Sequence, residues 1–297
     1  MAQCVGRSKR SGERCKRTAS AGASRCYYHR PAAGQLSRAA ARRVADAESE
    51  AVARNSGRTA FTTKELSKRT CDDFETLFAE GTGWGRCGCL FALQVRRCSR
   101  GGTWAQQREV NLDTMRGLVE HGRSHGVLVY ADGAPVGWCQ FVAKDELRFT
   151  NAAASGAAWF VTCFVIDPRY RGLGATAVAL RAAVKAISRK GGGIVEGHAT
   201  AIAAGPPPKP ARKGRHREGD VLFYGGSAKV RFAVEVDGVG PVAALYRSRR
   251  SMHGAPLGGT VDLFRREGFE AVAVLPRPTS GRTALIQPDR IVMRRTV

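Results

Sequence analysis

Residues 159–176 read W-F-V-T-C-F-V-I-D-P-R-Y-R-G-L-G-A-T. The apolar run Trp159–Ile166 predicts a buried strand, which passes through Asp167-Pro168 into a glycine-bearing loop that opens a helix. That helix carries Leu180, Ala183, Val184 and Ile187 at i, i+3, i+4 and i+7, and it stops at Gly191-Gly192-Gly193. A loop at a helix N-terminus presents several main-chain N–H groups without intrahelical acceptors. Together with the positive end of the helix dipole, these favour an anionic group such as a phosphate. Gly172 and Gly174 let the backbone approach such a group closely.

Working outward, a folded region begins near Phe61, and Leu66, Phe74, Leu77 and Phe78 predict a helix. The glycine-rich stretch G-T-G-W-G-R-C-G-C-L-F-A-L (81–93) follows it. An amphipathic helix comes next, with Asn111 expected as N-cap and Leu112, Met115, Leu118 and Val119 on one face. V-L-V-Y-A-D-G-A-P-V-G-W-C-Q-F (127–141) predicts a hairpin, because Asp132-Gly133 sits between two apolar runs. After the helix that follows the loop, I-V-E-G-H-A (194–199) reads as another strand. L-F-R-R-E-G-F-E (263–270) reads as a late helix entering a strand.

The glycine loop and the 263–270 segment together resemble the GNAT superfamily of N-acetyltransferases, over about residues 71–297. The resemblance implies an α/β (α+β) fold, a mixed central sheet flanked by helices, with an antiparallel first half and a splayed central pair of strands. The superfamily's loop, Q/R-x-x-G-x-G/A, contacts the pyrophosphate of acetyl-CoA through backbone amides. Two registers fit: Arg169-x-x-Gly172-x-Gly174 matches the letters, while Arg171-x-x-Gly174-x-Thr176 better matches the distance to the helix and is preferred. The cofactor residues so implied are Arg171, Gly172, Leu173, Gly174, Ala175 and Thr176. The backbone of Cys163, Phe164, Val165 and Ile166 is implied to serve the thioester carbonyl. A tyrosine in the last helix often acts as the acid in this superfamily, and the matching position here is Phe264. Tyr224 or Tyr246 would have to replace it, or the thiolate leaves unaided.

The base is open as well. Glu196 and His198 lie two apart on one strand and so share a face. They are either a buried structural pair or a base acting directly or through water. Cys163 reads as a core thiol before it reads as a nucleophile. Between the 194–199 strand and the late helix the chain inserts about sixty residues (about 200–257). These begin with the linker-like G-P-P-P-K-P-A-R-K-G-R-H-R-E-G. Val230, Phe232, Val234 and Val236 then alternate towards Asp237-Gly238 and predict an inserted strand or hairpin. It is either a substrate rim or a surface excursion.

Residues 1–70 differ in character. They hold 16 of the 48 Lys+Arg and 5 of the 25 Asp+Glu, and so 11 of the 23 net positive charges. Within them stand Cys4, ten residues, Cys15, ten residues, Cys26, two residues, and His29. This Cys3His set suits tetrahedral zinc, and with so little apolar material around it, any fold in residues 1–31 depends on the metal. The segment also resembles short bacterial Cys3His zinc modules with a G-x-x-C-x-R…C-x-x-H pattern. Arg7, Lys9, Arg10, Arg14, Lys16, Arg17, Arg25 and Arg30 flank the ligands. They either neutralise nucleic-acid phosphates, with Tyr27 and Tyr28 available for stacking, or offset the negative zinc–thiolate cluster. The expected domains are a zinc-binding basic module at 1–31, an Ala/Arg-rich linker at 32–60 and the catalytic-type domain at 61–297.

Two further clusters attract notice. Cys87, Cys89 and Cys98 could start a second metal site but lack a convincing fourth ligand nearby, and His121 with His125, near a helix end and without the Glu of a metalloprotease helix, are expected to be surface residues. Nine cysteines, an odd number in irregular spacing, argue against a disulfide framework. No apolar run is long enough to span a bilayer and no signal peptide is visible, so the expected site of action is cytoplasmic. The expected function is acetyl-CoA-dependent N-acetylation of an amine, with the basic zinc module recruiting the chain to nucleic acid. The alternative is a non-catalytic CoA-binding or nucleic-acid-binding protein on a degenerate domain of this kind. The acceptor amine is not readable from these residues.

Overall fold

In the computed structural model of the chain, Asp132 and Gly133 both take positive φ, 50° and 81°. That is what a two-residue turn needs to match the twist of its strands. The turn joins β2 (His125–Ala131) to β3 (Ala134–Ala143), with Leu128 opposite Trp138 and Val127 opposite Cys139. The structure describes residues 59–79, 87–93, 104–148, 156–204, 221–224, 228–246, 258–275 and 288–297. The chain divides into two units, Met1–Ser49 and Glu50–Val297, and every described residue belongs to the second. Cys4, Cys15, Cys26 and His29 therefore lie outside the described residues, as does the 32–58 part of the expected linker.

Around the hairpin the sheet grows to seven strands in the order β1-β2-β3-β4-β5-β11-β10. β1 is Phe61–Glu65, β4 Trp159–Ile166, β5 Ile194–Ala199, β10 Glu270–Leu275 and β11 Arg290–Thr296. Every neighbouring pair is antiparallel except β4 and β5, which run parallel. The mixed sheet with an antiparallel first half agrees with the fold expected from sequence.

Both faces of the sheet are covered, which is why β2 and β4 read as almost unbroken apolar runs. One face carries α3 (Ala175–Arg189), whose Leu180, Ala183, Val184 and Ile187 are buried against Val127, Val129, Phe141 and Val161. The other carries α1 (Cys71–Ala79) and α2 (Trp104–Glu120), with Phe74, Phe78, Met115 and Leu118 against Leu128, Tyr130, Trp138 and Phe160. Leu66 falls before α1, in the turn closed by Thr70, whose hydroxyl donates to Glu65 O at 2.9 Å.

Asn111 does not cap α2. The helix starts at Trp104, and Asn111 sits in its middle, buried. Ala105 to Glu109 are good helix formers and carry the helix past the expected cap. A polar residue suited to a cap can also be held inside a helix when it is packed.

The insertion forms more than a hairpin. A second sheet, in the order β6-β9-β8-β7, is built from Ile202–Ala203 (β6), Val221–Tyr224 (β7), Ala228–Val236 (β8) and Gly240–Tyr246 (β9). Val236, Val242 and Ala244 are buried in the same apolar cluster as Ile187 and Ile291. Asp289 ties this sheet to the start of β11, accepting from Ala243 N at 2.6 Å while its own N–H donates to Ala243 O at 2.9 Å. In its described part the insertion is therefore integral to the core, not an excursion from it.

The last helix, α4 (Val261–Arg266), is capped by Thr260, whose hydroxyl oxygen accepts from Leu263 N at 3.2 Å. It presses Phe264 onto β5 at Gly197, where an added Cβ would lie 2.3 Å from the ring's Cζ. Gly197→Ala is therefore expected to destabilise the fold by about 1–3 kcal/mol through overpacking. The check is a lower urea midpoint at an unchanged slope.

Candidate functional site

β4 and β5 pair over three residues only: Trp159 with Val195, Phe160 with Glu196 and Val161 with Gly197. Beyond these the strands part. On β4 the parting coincides with a bulge, because Gln140 and Phe141 of β3 face Cys163 and Val161 and leave Thr162 as the extra residue. The buried Gln140 holds the bulge. Its carboxamide accepts from Thr162 Oγ1 at 2.9 Å and donates to Cys89 O at 2.8 Å.

Asp167 N–H donates to Val136 O at 2.9 Å. In an antiparallel ladder this places Val165 and Cys163 among the residues bonded to β3 and turns the peptide groups of Phe164 and Ile166 towards the opening. Ile166 O is met there by the Arg171 guanidinium, Nε donating at 3.1 Å. The Arg171 side chain thus folds back onto the end of β4 and braces the loop.

The loop itself runs through a short 3-10 turn, Pro168–Tyr170, capped by Asp167, which accepts from Arg169 N at 2.9 Å. Gly172 and Gly174 then adopt φ of 82° and 92°, with open space where a Cβ would stand. Gly174 is the N-cap of α3, its carbonyl accepting from Ala177 N and Val178 N. Among the described residues, the N–H groups of Gly172, Leu173, Gly174, Ala175 and Thr176 meet no acceptor. Thr176 falls in the first turn of α3.

At β5 the structure brings Glu196 and His198 together, with His198 Nε2 at 2.7 Å from Glu196 Oε1. Arg294 of β11, directly opposite Glu196 in register, donates Nε to Oε2 at 2.9 Å. Glu196 is 3% exposed and His198 37%, so the carboxylate is enclosed and the imidazole reaches the surface. Burial pushes the Glu196 carboxyl up, but the hydrogen bonds and charges of His198 and Arg294 outweigh it and hold it below the usual carboxylate range. Arg294 escaped the sequence reading because only the pairing register sets it against Glu196.

Phe264 is wholly buried, edge-on to Phe164 at 6.2 Å and to Phe269 at 4.9 Å. The ring tip against Gly197 leaves no room for a hydroxyl. Tyr130 is committed elsewhere: it donates to Asp73 Oδ2 at 2.7 Å, and burial and that carboxylate push its hydroxyl far up. Tyr224 and Tyr246 stand on β7 and β9, and their side chains lie outside the described features.

Among the described residues no group of His, Cys, Asp and Glu could hold a metal ion. Cys89 instead lies 3.6 Å from Cys163, sulfur to sulfur, and Cys98 is outside the described residues. His125 is not a surface residue. It stacks on Phe141, meets Trp159 edge-on and faces Glu146 at 3.5 Å. Its position at the start of β2, over aromatic residues of β3 and β4, accounts for the difference. Nor is any described helix long and apolar enough to cross a membrane.

A carboxyl with a depressed folded-state pKa contributes stability above its unfolded-state titration, and this is lost as pH falls through the folded value. Glu196→Gln is therefore expected to cost about 2 kcal/mol at pH 7. Its urea midpoint should converge on that of the parent chain as the pH drops below the ordinary carboxylate range.

No curated protein matches the chain. Among solved structures it is similar to a GNAT-family protein from Desulfovibrio desulfuricans, at 13% identity over 80% of this chain and 99% of that one, TM-score 0.39. A GNAT-family acetyltransferase from Streptococcus pneumoniae is 11% identical over 80% and 100%, TM-score 0.38. A Salmonella typhimurium protein solved with its cofactor acetyl-CoA is 12% identical over 80% and 94%, TM-score 0.36. At such scores these likenesses say nothing of what this chain does. In sequence, residues 92–201, from the turn before α2 to just past β5 and including the whole glycine loop, match the model of the Acetyltransferase (GNAT) family.

Proposed function

We propose that this chain is an acetyl-CoA-dependent N-acetyltransferase acting on an amine, carrying a zinc-stabilised basic module that brings it to nucleic acid. The observation that carries the first half is the run of main-chain N–H groups from Gly172 to Thr176. They stand without acceptors among the described residues at the start of α3, beside the parting of β4 and β5 and within the span that matches the family. Such donors fit a pyrophosphate, and the two glycines leave the space it would need.

In this reading Arg171, Gly172, Leu173, Gly174, Ala175 and Thr176 hold the pyrophosphate. The backbone of Cys163, Phe164, Val165 and Ile166 lies along the acyl arm. Bound acetyl-CoA supplies an activated acetyl thioester. His198, held by Glu196 and open to solvent, takes the proton of the acceptor amine directly or through water. Arg294 keeps Glu196 ionised and in place. Tyr224 or Tyr246 serves as the acid, or the thiolate leaves without one.

A second reading has one observation in its favour. Phe264, buried in the core, stands where the resemblance places a tyrosine, and a domain that binds CoA without turnover would need no acid there.

The second half of the proposal rests on Cys4, Cys15, Cys26 and His29 with the eight cations among them. Domain limits of 1–31, 32–60 and 61–297 go with it, as does action in the cytoplasm.

Titration calorimetry of the full chain with acetyl-CoA tests the cofactor site, and absence of binding at millimolar cofactor sinks it. Gly174→Ala, forced to a left-handed φ at about 1–2 kcal/mol, is expected to weaken acetyl-CoA roughly tenfold. His198→Ala should leave that affinity intact and lower turnover on the true acceptor by about 10²–10⁴. The acceptor is found from mass shifts in a lysate given isotopically labelled acetyl-CoA. Binding with no labelled product anywhere supports the second reading. For the tail, zinc content should vanish on Cys26→Ser. Removing residues 1–31 should flatten the salt dependence of DNA or RNA affinity, and an unchanged slope rejects recruitment.

A further inference from the structure

Cys89 closes a tight turn between α1 and α2, at φ 53° and just ahead of the 3-10 turn Leu90–Ala92. Its neighbour across the sheet face is Cys163 on β4, and the two sulfurs are 3.6 Å apart. Neither thiol is oxidised, and nothing in the proposed acetyl transfer uses them as a pair.

Three features set this pair apart from two cysteines meeting by chance in a core. The indole of Trp138 donates Nε1–H to Cys89 Sγ at 3.1 Å and fixes that sulfur in place facing Cys163, while burial pushes the Cys89 thiol well up, so that it reacts as a thiol already held against its partner. Gln140 donates to Cys89 O at 2.8 Å and accepts from Thr162, so the Cys89 backbone is fixed to the bulge beside Cys163. Access is uneven: Cys89 is 3% exposed, whereas Cys163 is only partly buried. The other described cysteine on a strand of the sheet, Cys139, is placed differently. Cys139 points into the cluster beneath α3, while Cys163 packs against the cluster beneath α1 and α2.

We propose that Cys89 and Cys163 are a redox-modification site, a thiol pair that closes to an intramolecular disulfide in the presence of a peroxide. The partly exposed Cys163 meets the oxidant first. Its thiolate attacks the peroxide oxygen, the O–O bond breaks, and an alcohol or water leaves, with Cys163 now a sulfenic acid. The Cys89 sulfur then attacks the Cys163 sulfur and displaces hydroxide, which takes up the Cys89 proton as water. In sum two thiols and one peroxide give one disulfide, one alcohol (water, for hydrogen peroxide) and one water. The sulfurs need to close from 3.6 Å to about 2.05 Å. The closed bond would tie the 87–92 turn to β4 next to its bulge. It forms whether or not the protein binds acetyl-CoA.

Full-length protein, first reduced, is treated with hydrogen peroxide, alkylated and digested with trypsin. The expected product joins the peptide of residues 87–96 to that of 149–169. Fragmentation should place the link at Cys89 rather than Cys87, and alkylation of Cys89 and Cys163 should fall in step and return in step on adding a dithiol. Cys87→Ser keeps the link, and Cys89→Ser or Cys163→Ser abolishes it. Cys89→Ala repeats the test without placing a hydroxyl in the core. Peptides that stay unlinked, a link at Cys87, or Cys163 oxidised alone while Cys89 remains alkylatable would each overturn the proposal.

Discussion

Three residue pairs hold the two halves of the main sheet together. β4 meets β5 only from Trp159 to Val161, and everything distinctive about the site follows from the pairing ending there. Had the ladder continued, Phe164 and Ile166 would spend their outward peptide groups on β5, and no opening would exist at the head of α3. The parting is fixed from both sides. On β4 the Thr162 bulge, held by Gln140, turns the strand. On β5 the far edge is taken by Thr200 N–H donating to Gly259 O at 3.1 Å and Val261 N–H to Thr200 O at 3.2 Å. The start of α4 thus fills the place a continuing strand would occupy. Phe164, Gly259 and Phe264 wedge the gap with apolar contacts.

Once the strands part, charge and hydrogen bonding are sorted to opposite faces of β5. Gly197 turns towards α4 and admits the Phe264 ring, while Glu196 and His198 turn the other way towards Arg294. An acidic side chain this enclosed would be unfavourable alone. It is tolerated because each oxygen has its own cationic or hydrogen-bonding partner. The imidazole is thereby oriented without being enclosed.

What the sequence discloses and what it conceals divide along contact range. The Asp132-Gly133 turn, the amphipathic face of α3, the glycines at the helix start and the shared face of Glu196 and His198 depend on residues within a few positions of one another. All of these are legible. Arg294 against Glu196, Cys89 against Cys163 and Gln140 against Thr162 depend on strand register and on how a turn folds back over a sheet, and these are not. The start of α2 was misplaced because capping preference is a local signal and the helix-forming residues before Asn111 outweigh it. The insertion was legible at its alternating strand β8. β6 and β7, two and four residues long, are too short for periodicity to reveal, and β6 finds its partner far along the chain, Ile202 opposite Leu245.

The order of strands at the other end of the sheet bears on how the chain acquires its fold. β10 precedes β11 in the chain but lies outside it, bonded among the described strands to β11 alone, while β11 is the strand that reaches β5. During vectorial synthesis the β10 segment emerges with no edge to join and stays unpaired until residues 290–296 follow and slot in on its inner side. β5 waits for the same residues, nearly a hundred positions after its own emergence. The slowest event in assembly is therefore expected to be the capture of one long-range strand, and its rate should follow the entropy of closing that loop more than the strength of the helices already formed.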